Sequence, residues 1–439
     1  MLSVWQAIYS VLILPLLWIS FQISGLFNAK IRRGIRGRDG LLESLKKWND
    51  SVSTGMRIWI HSSSMGEFEQ AKPIIGKLRR QYPDLTVLVS FFSPSGLENS
   101  RNYPLADYVT YIPFDSHRNA RRFIDLVRPD LALFVRYDLW PNHIWELKRR
   151  NIPVCIVNAT LSRLTIRRLP FVRGFHRSLY NALEAILTVS GSDAETYRLF
   201  GLTSPRIEVM GDTRFDQVSA RCQEAKNKPF LPEQITKGRR VLIGGSCWHE
   251  DDAVLFPAFF RIAASLPEAL LIYVPHEPTE RHLTGVAEAL RGRALWCRLS
   301  AIDRYQGEPV IVVDSIGKLL ALYAEADVAF IGGSFGQGIH NVLEAAVFGI
   351  PVVFGPRHQN SQEPLELVEI GGAFVVANEE EMVRTVGNLL DDQIARDAAG
   401  RRSSEFVARH TGATDRLVSR LAPFIGTQAL KQPTAETTT

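Results

Sequence analysis

Short runs of β-branched and aliphatic residues alternate with longer helical patterns along most of the 439-residue chain, and this alternation most narrows the folds open to it. From Arg57 onward RIWIH, LTVLVS, YVTYIP, LALFV, VCIVNA and AILTVS are interleaved with stretches such as EFEQAKPIIGKLRRQY and DAETYRLFGL. Continuous apolar runs between helices predict parallel strands covered on both faces. A polar, lysine-containing stretch, residues 219–240, breaks the series. VLIGGS, ALLIYVP, VIVVD, VAFIGGS, PVVFG and AFVVA then form a second set. The expected class is α/β: two doubly wound, Rossmann-like domains facing each other across a cleft, with ligands at the carboxyl ends of the strands. The expected divisions are an N-terminal segment 1–29, a first domain 30–212, a second domain 213–425 and a loose tail 426–439, which lacks apolar periodicity.

The N-terminal segment is a separate problem. Residues 1–29 carry no charge, and Val4 to Ile23 is apolar enough to form a helix of roughly 30 Å, the thickness of a hydrocarbon core. Pro15, Gln6, Ser10, Ser20 and Gln22 weaken it as a spanning helix, and Trp5, Tyr9 and Trp18 suit a membrane interface. Lys30, Arg32, Arg33, Arg36 and Arg38 follow the run, whereas a cleaved signal peptide has its cations in front. That order predicts membrane attachment with the globular part in the cytoplasm, whether the segment spans the membrane or lies in it. These five cations equal the whole net charge of +5, so the remaining body is formally neutral and nucleic acid is not an expected partner. Cys155, Cys222, Cys247 and Cys297 are scattered, without C-x-x-C or zinc spacing, which fits a reducing compartment.

Several stretches carry candidate chemistry. In ADVAFIGGSFGQGIHNVLEAA a strand is expected to end at Gly332, a glycine-rich loop to run through Gly333, Ser334 and Gly338, and a helix to begin near Asn341. Backbone N–H groups in such a setting attract phosphate. Ile339 and His340 stand where a Walker loop needs Lys and Ser/Thr, which disfavours a nucleoside triphosphatase. Glu344 suits either a ribose contact or an acid in the first turn of the helix. Ser64-Met65-Gly66-Glu67 matches an S-x-x-E capping box, yet lies at the carboxyl end of the first strand, where a carboxylate could also act as a base. No Asp-x-Asp pair exists, so no metal and no cofactor is expected. Arg163, Arg167, Arg168, Arg173 and Arg177, among aromatic residues, suit an anionic lipid head group or a solvated helix face.

SMGEFEQAKPII, DLWPN, NATLSR, GDTRFD, GGSCWHEDD, VPHEP, DSIGKL, FIGGSFGQGIHNVLEAA and VFGP, in this order, resemble the 3-deoxy-D-manno-octulosonic acid (Kdo) transferases of lipopolysaccharide synthesis, from the N-terminal segment to about residue 425. The resemblance implies a GT-B fold with an N-terminal membrane-associated helix at the cytoplasmic side of the inner membrane. It also implies CMP-Kdo as donor, a lipid A precursor (lipid IVA) as acceptor, inversion at the anomeric carbon, and Glu67 as base. The CMP contacts it implies fall on Pro275 and His276, on Ile316, Gly317 and Lys318, and on Asn341, Val342, Leu343 and Glu344. Asp138 joins Arg163, Arg167 and Arg168 on the acceptor side. The chain departs from the pattern at Arg136, which replaces a carboxylate, at His276-Glu277 in place of Arg-His, and at Lys318 in place of an acid. Rival readings are a transferase using a UDP-sugar and a lipid acceptor, a sugar-nucleotide epimerase, and a non-catalytic membrane adaptor.

Overall fold

Residues 4–52, 55–228, 230–359 and 361–429 are described by a computed structural model of the chain. They form two units: one of residues up to Gln217 together with those from Thr411, the other Val218–His410.

The first unit is built on a seven-stranded parallel sheet. Its strands are β1 (Arg57–Ser62), β2 (Thr86–Phe91), β3 (Tyr108–Tyr111), β4 (Leu131–Val135), β5 (Val154–Ala159), β6 (Ala185–Thr188) and β7 (Arg206–Val209), in the order β3-β2-β1-β4-β5-β6-β7. All residues of β1, β2, β4 and β5 are buried, as strands covered on both faces require. The order reverses between β1 and β4, so the loops leaving these two strands diverge and open a crevice at their carboxyl ends.

The second unit repeats the plan. Strands β8 (Arg240–Cys247), β9 (Ala269–Pro275), β10 (Trp296–Arg298), β11 (Val310–Val312), β12 (Val328–Ile331), β13 (Val352–Phe354) and β14 (Ala373–Val375) run in the order β10-β11-β9-β8-β12-β13-β14, all parallel. Its switch point lies between β8 and β12.

All twelve expected strands form. The two additional ones, β7 and β10, are the last strand on one side of their sheets; RIEV and WCR are only partly buried and carry no continuous apolar run. The second division differs from expectation. The chain passes from one unit to the other inside the helix Thr213–Lys226 and returns near Thr411, so the C-terminal helix Ala413–Ala429 belongs to the first unit. Its Leu417, Val418, Leu421 and Ile425 are buried in the first unit's core. Asp216 accepts bonds from the backbone N–H groups of Gly412 and Thr414, both at 2.6 Å, and so holds its start. Residues 426–429, expected in the loose tail, continue this helix, and the rest of the tail lies outside the described residues.

Val4–Phe27 is one continuous helix of 24 residues that contains an 18-residue window with a mean hydropathy of 1.9. A π-helical turn, Tyr9–Ile13, precedes Pro15, whose ring and missing N–H disturb the α-helical ladder there. Tyr9, expected at a membrane interface, is instead buried: it stacks on Phe175 at 5.7 Å and donates to Asp115 Oδ2 at 2.9 Å.

Candidate active site

At the first switch point the chain leaves β1 through Ser63 and enters the helix Met65–Gln81. Ser64 and Glu67 form the capping box, with the Ser64 N–H 3.1 Å from Glu67 Oε2 and the Ser64 hydroxyl donating to the same oxygen. The Glu67 side chain is only partly buried, so this carboxylate caps its helix and still meets solvent.

From β4 the chain turns through Arg136 to Trp140. Asp138 Oδ2 lies 3.0 Å from Nε2 of the fully buried His61. Ser90 Oγ accepts the indole N–H of Trp59 at 2.7 Å and lies 2.9 Å from His61 Nδ1. Burial pushes the Asp138 carboxyl up, but bonds from His61, Trp140 and Ser63 and the charge of His61 outweigh it and hold Asp138 below the usual carboxylate range.

Arg136 adopts a left-handed backbone (φ 64°), and its Nε is buried without a partner. Its guanidinium lies 5.8 Å from the ring centroid of Tyr137, and that of Arg167 lies 5.9 Å from the same ring. Ser62 Oγ and Gln70 Oε1 are likewise buried and unpaired. Buried polar atoms rarely stay unpaired. Two of these, Ser62 and Arg136, at or just beyond the carboxyl ends of two neighbouring strands, mark a place where a ligand would supply partners.

Three motifs also converge in this unit. Asn158, left-handed at φ 50°, donates to Thr213 Oγ1 at 2.8 Å, and Thr213 Oγ1 donates to the Gln70 carbonyl at 2.7 Å. NATLSR and GDTRFD therefore brace the helix that carries Glu67.

In the second unit, Trp248 follows β8, His276 follows β9 and His340 follows β12 by a loop. Their rings stack, Trp248 to His276 at 4.6 Å and His276 to His340 at 4.4 Å, nearly parallel. Burial, then the charge of His276, lowers the His340 pKa to about 4. It is neutral near pH 7, and its Nε2 accepts the Trp248 indole N–H at 2.8 Å.

The glycine-rich loop differs from the open phosphate cradle expected. Asp251, fully buried, takes the N–H groups of Gly333 at 2.7 Å and Phe335 at 3.3 Å, besides that of Trp248 at 2.8 Å. Gly336 and Gly338 both donate to the Gly333 carbonyl. The Ser334 hydroxyl, also buried, donates to the Ile331 carbonyl and accepts from Gly355 N. The loop is thus closed on itself around a carboxylate. The α-helix expected near Asn341 is a single turn, Leu343–Ala346.

The family model of 3-deoxy-D-manno-octulosonic-acid transferase (kdotransferase) matches residues 34–217. A 3-deoxy-D-manno-octulosonic acid transferase of Haemophilus influenzae is 27% identical over 96% of this chain and 99% of that protein. The chain is thus similar to Kdo transferases over nearly its whole length. It is a glycosyltransferase. A second Kdo transferase, from Chlamydophila psittaci, is 26% identical over 83% of this chain and 84% of its own length. Among solved structures, a UDP-GlcNAc 2-epimerase from Neisseria meningitidis superposes with a TM-score of 0.58 at 13% identity, over 84% of this chain and 100% of that one. MurG of Acinetobacter baumannii gives a TM-score of 0.51 at 13% identity, over 84% and 100%. At these identities the likeness establishes the GT-B class of fold and nothing about substrates.

The expected site residues fall into separate groups. Glu67, in the first turn of the helix after β1, and Asp138, in the turn after β4, sit on the two sides of the first switch point. Arg167 lies beside Tyr137, while Arg163 pairs with Glu195 and Arg168 donates to the Arg163 carbonyl. In the second unit Pro275 is buried and His276 exposed. Ile316 is exposed, Gly317 has φ 78°, and Lys318 Nζ lies 5.3 Å from the Phe230 ring centroid. Asn341 is exposed and caps Leu343 N at 3.1 Å, Val342 and Leu343 are buried, and Glu344 pairs with Arg221 at 3.5 Å. The sequence reading gave no role to His61, Ser90, Trp248 or Asp251. The signal for Asp251 was present in WHEDD: an acid three residues past the Trp that follows the strand, in the first turn of a helix.

Proposed function

We propose that this enzyme moves Kdo from CMP-Kdo to a hydroxyl of a lipid A precursor, lipid IVA, in lipopolysaccharide biosynthesis at the cytoplasmic face of the inner membrane. The observation that carries the reading is the partly exposed Glu67 carboxylate at the first switch point, near the unpaired Ser62, Gln70 and Arg136. The relatives named as Kdo transferases over most of the chain support it.

In the proposed reaction the acceptor hydroxyl attacks the anomeric carbon as the bond to the CMP phosphate breaks. Glu67 takes the hydroxyl proton, and the configuration inverts through an oxocarbenium-like state. Asp138, kept ionised by His61, Arg136 and Arg167 orient the acceptor. His276, the exposed segment Ile316 to Lys318, Asn341 and Glu344 hold the donor, with the Lys318 ammonium balancing phosphate charge. Gly333, Ser334, Val342 and Leu343 act as backbone and packing supports beneath that surface. No step uses a bound metal.

The test separates the two duties of Glu67. Gln can keep the capping box, because S-x-x-Q caps as S-x-x-E does, but it cannot accept the proton. Glu67→Gln is expected to lower turnover by about 10² to 10⁴-fold with CMP binding unchanged. Product mass from CMP-Kdo and lipid IVA, with UDP-sugars as control donors, reads both base and donor. Turnover retained in Glu67→Gln refutes the base; product from UDP-sugars refutes the donor.

A further inference from the structure

We infer that the apolar N-terminal helix lies in the plane of one leaflet, fastened near both its ends to the first unit, and does not cross the bilayer. This rests on the membrane location proposed above. Attachment is found toward both ends of the helix, whereas between Val11 and Ser20 only Leu14 is buried. Trp5 packs on Phe175 at 6.4 Å and so closely over Gly174 that a Cβ there would lie 2.5 Å from the indole. Tyr9 bonds to Asp115, and Ser10 Oγ donates to Asn142 Oδ1 at 3.2 Å. Phe21 stacks against Phe92 at 5.4 Å and Phe114 at 6.4 Å, and Gly25 is buried against Ile35.

From Trp5 to Gly25 is roughly 30 Å of helix, the length needed to cross a hydrocarbon core. A crossing helix that kept these contacts would drag Asp115, His143 and Asn142 into lipid. Asp115 is fully buried and receives the N–H groups of Asn142 and His143, and its carbonyl receives the Asn142 side chain at 2.6 Å. Such a buried polar cluster is not compatible with hydrocarbon. A crossing helix that shed them would leave the Asp115 carboxylate without its tyrosine donor.

Among the described residues, the other side of the helix has no protein partner. Val11, Leu12, Leu16, Ile23, Leu26 and Phe27 are all more than half exposed. The apolar surface continues beyond the helix. Phe175, which touches Trp5 and Tyr9, is one turn from Phe171 on the helix Pro170–Tyr180, and Phe171 is 88% exposed. Leu164 and Ile166 before it are also exposed.

Cations border this surface. Lys30, Arg32 and Arg36 are exposed after the helix, as is Arg168 beside Ile166. Arg38 is not among them: it is internal, bonded to the carbonyls of Ile112, Gly34 and Phe92. An apolar strip edged by exposed cations matches a leaflet of anionic phospholipid, with acyl chains against the strip and head groups against the arginines.

The test is a depth measurement on the full chain in vesicles of phosphatidylethanolamine and phosphatidylglycerol. Single cysteines replace Val4, Leu12, Leu16, Ile23 and Phe27 in a Cys297→Ser background and carry nitroxides; these exposed positions tolerate substitution. Relaxation by oxygen against a water-soluble nickel chelate gives the depth of each. The expected result is one shallow depth for all five, within about 5–10 Å of the head-group level. A profile that deepens to about 15 Å at mid-helix and returns to opposite faces at Val4 and Phe27 overturns the inference and leaves the membrane location standing. Nitroxides that all meet the chelate, with protein that does not sediment with vesicles, overturn both. Spin–spin broadening between copies would then show a second chain covering the strip.

Discussion

Arg136 is where backbone and side chain are both left unsatisfied. A non-glycine residue in the left-handed region costs about 1–2 kcal/mol, and here the guanidinium that could offset it has an unpaired Nε. Such strain persists only where the surroundings enforce it, and it collects at functional sites. Asn158 and Ser246, also left-handed, likewise lie at the carboxyl ends of strands. Arg136→Gly is expected to raise the unfolding free energy by about 1 kcal/mol in urea titrations while raising the acceptor KM by about 10-fold or more, the worth of a lost hydrogen bond to an anion. A variant that gains stability with an unchanged KM would leave Arg136 a structural residue only. The exchange of a family carboxylate for arginine was legible in RYDLWPN; the left-handed turn that aims it was not, because a positive φ at arginine has no sequence signature.

The elements divide into those whose partner is local and those whose partner is remote. The twelve apolar strands were readable because a parallel strand buried on both faces needs nothing beyond its own run of residues. The glycine-rich loop was not. Its glycines predicted free N–H groups, whereas the carboxylate that occupies two of them, Asp251, follows another strand about eighty positions earlier. Asp251→Ala strands the N–H groups of Trp248, Gly333 and Phe335 at once. It is expected to cost at least about 2 kcal/mol in the urea midpoint of the second unit and to loosen donor binding together with stability. Asp251→Asn, which keeps one acceptor oxygen, should fall between the two. Equal stability of all three proteins would mean that water replaces the carboxylate and the loop is open after all.

At the scale of the whole molecule the consequence is a first unit that is not contiguous in sequence. The apolar positions of the C-terminal helix do not show which surface it meets, and residues up to 425 were expected with the second domain. Leu417, Val418, Leu421 and Ile425 are between 0% and 3% exposed. At about 1.5–3 kcal/mol for each fully buried side chain, their contribution is about 6–12 kcal/mol. That is comparable with the entire stability of an ordinary domain, about 5–15 kcal/mol. A chain ending at His410 is therefore expected to lose the first unit and keep the second, whose sheet is contiguous from Val218 to His410. Limited proteolysis should yield a resistant fragment covering the second unit and none from residues 57–217, and a peptide of residues 411–429 added in trans should restore protection of the first. Proteolysis that leaves both units intact in the shortened chain would mean that the helix decorates the first core without completing it.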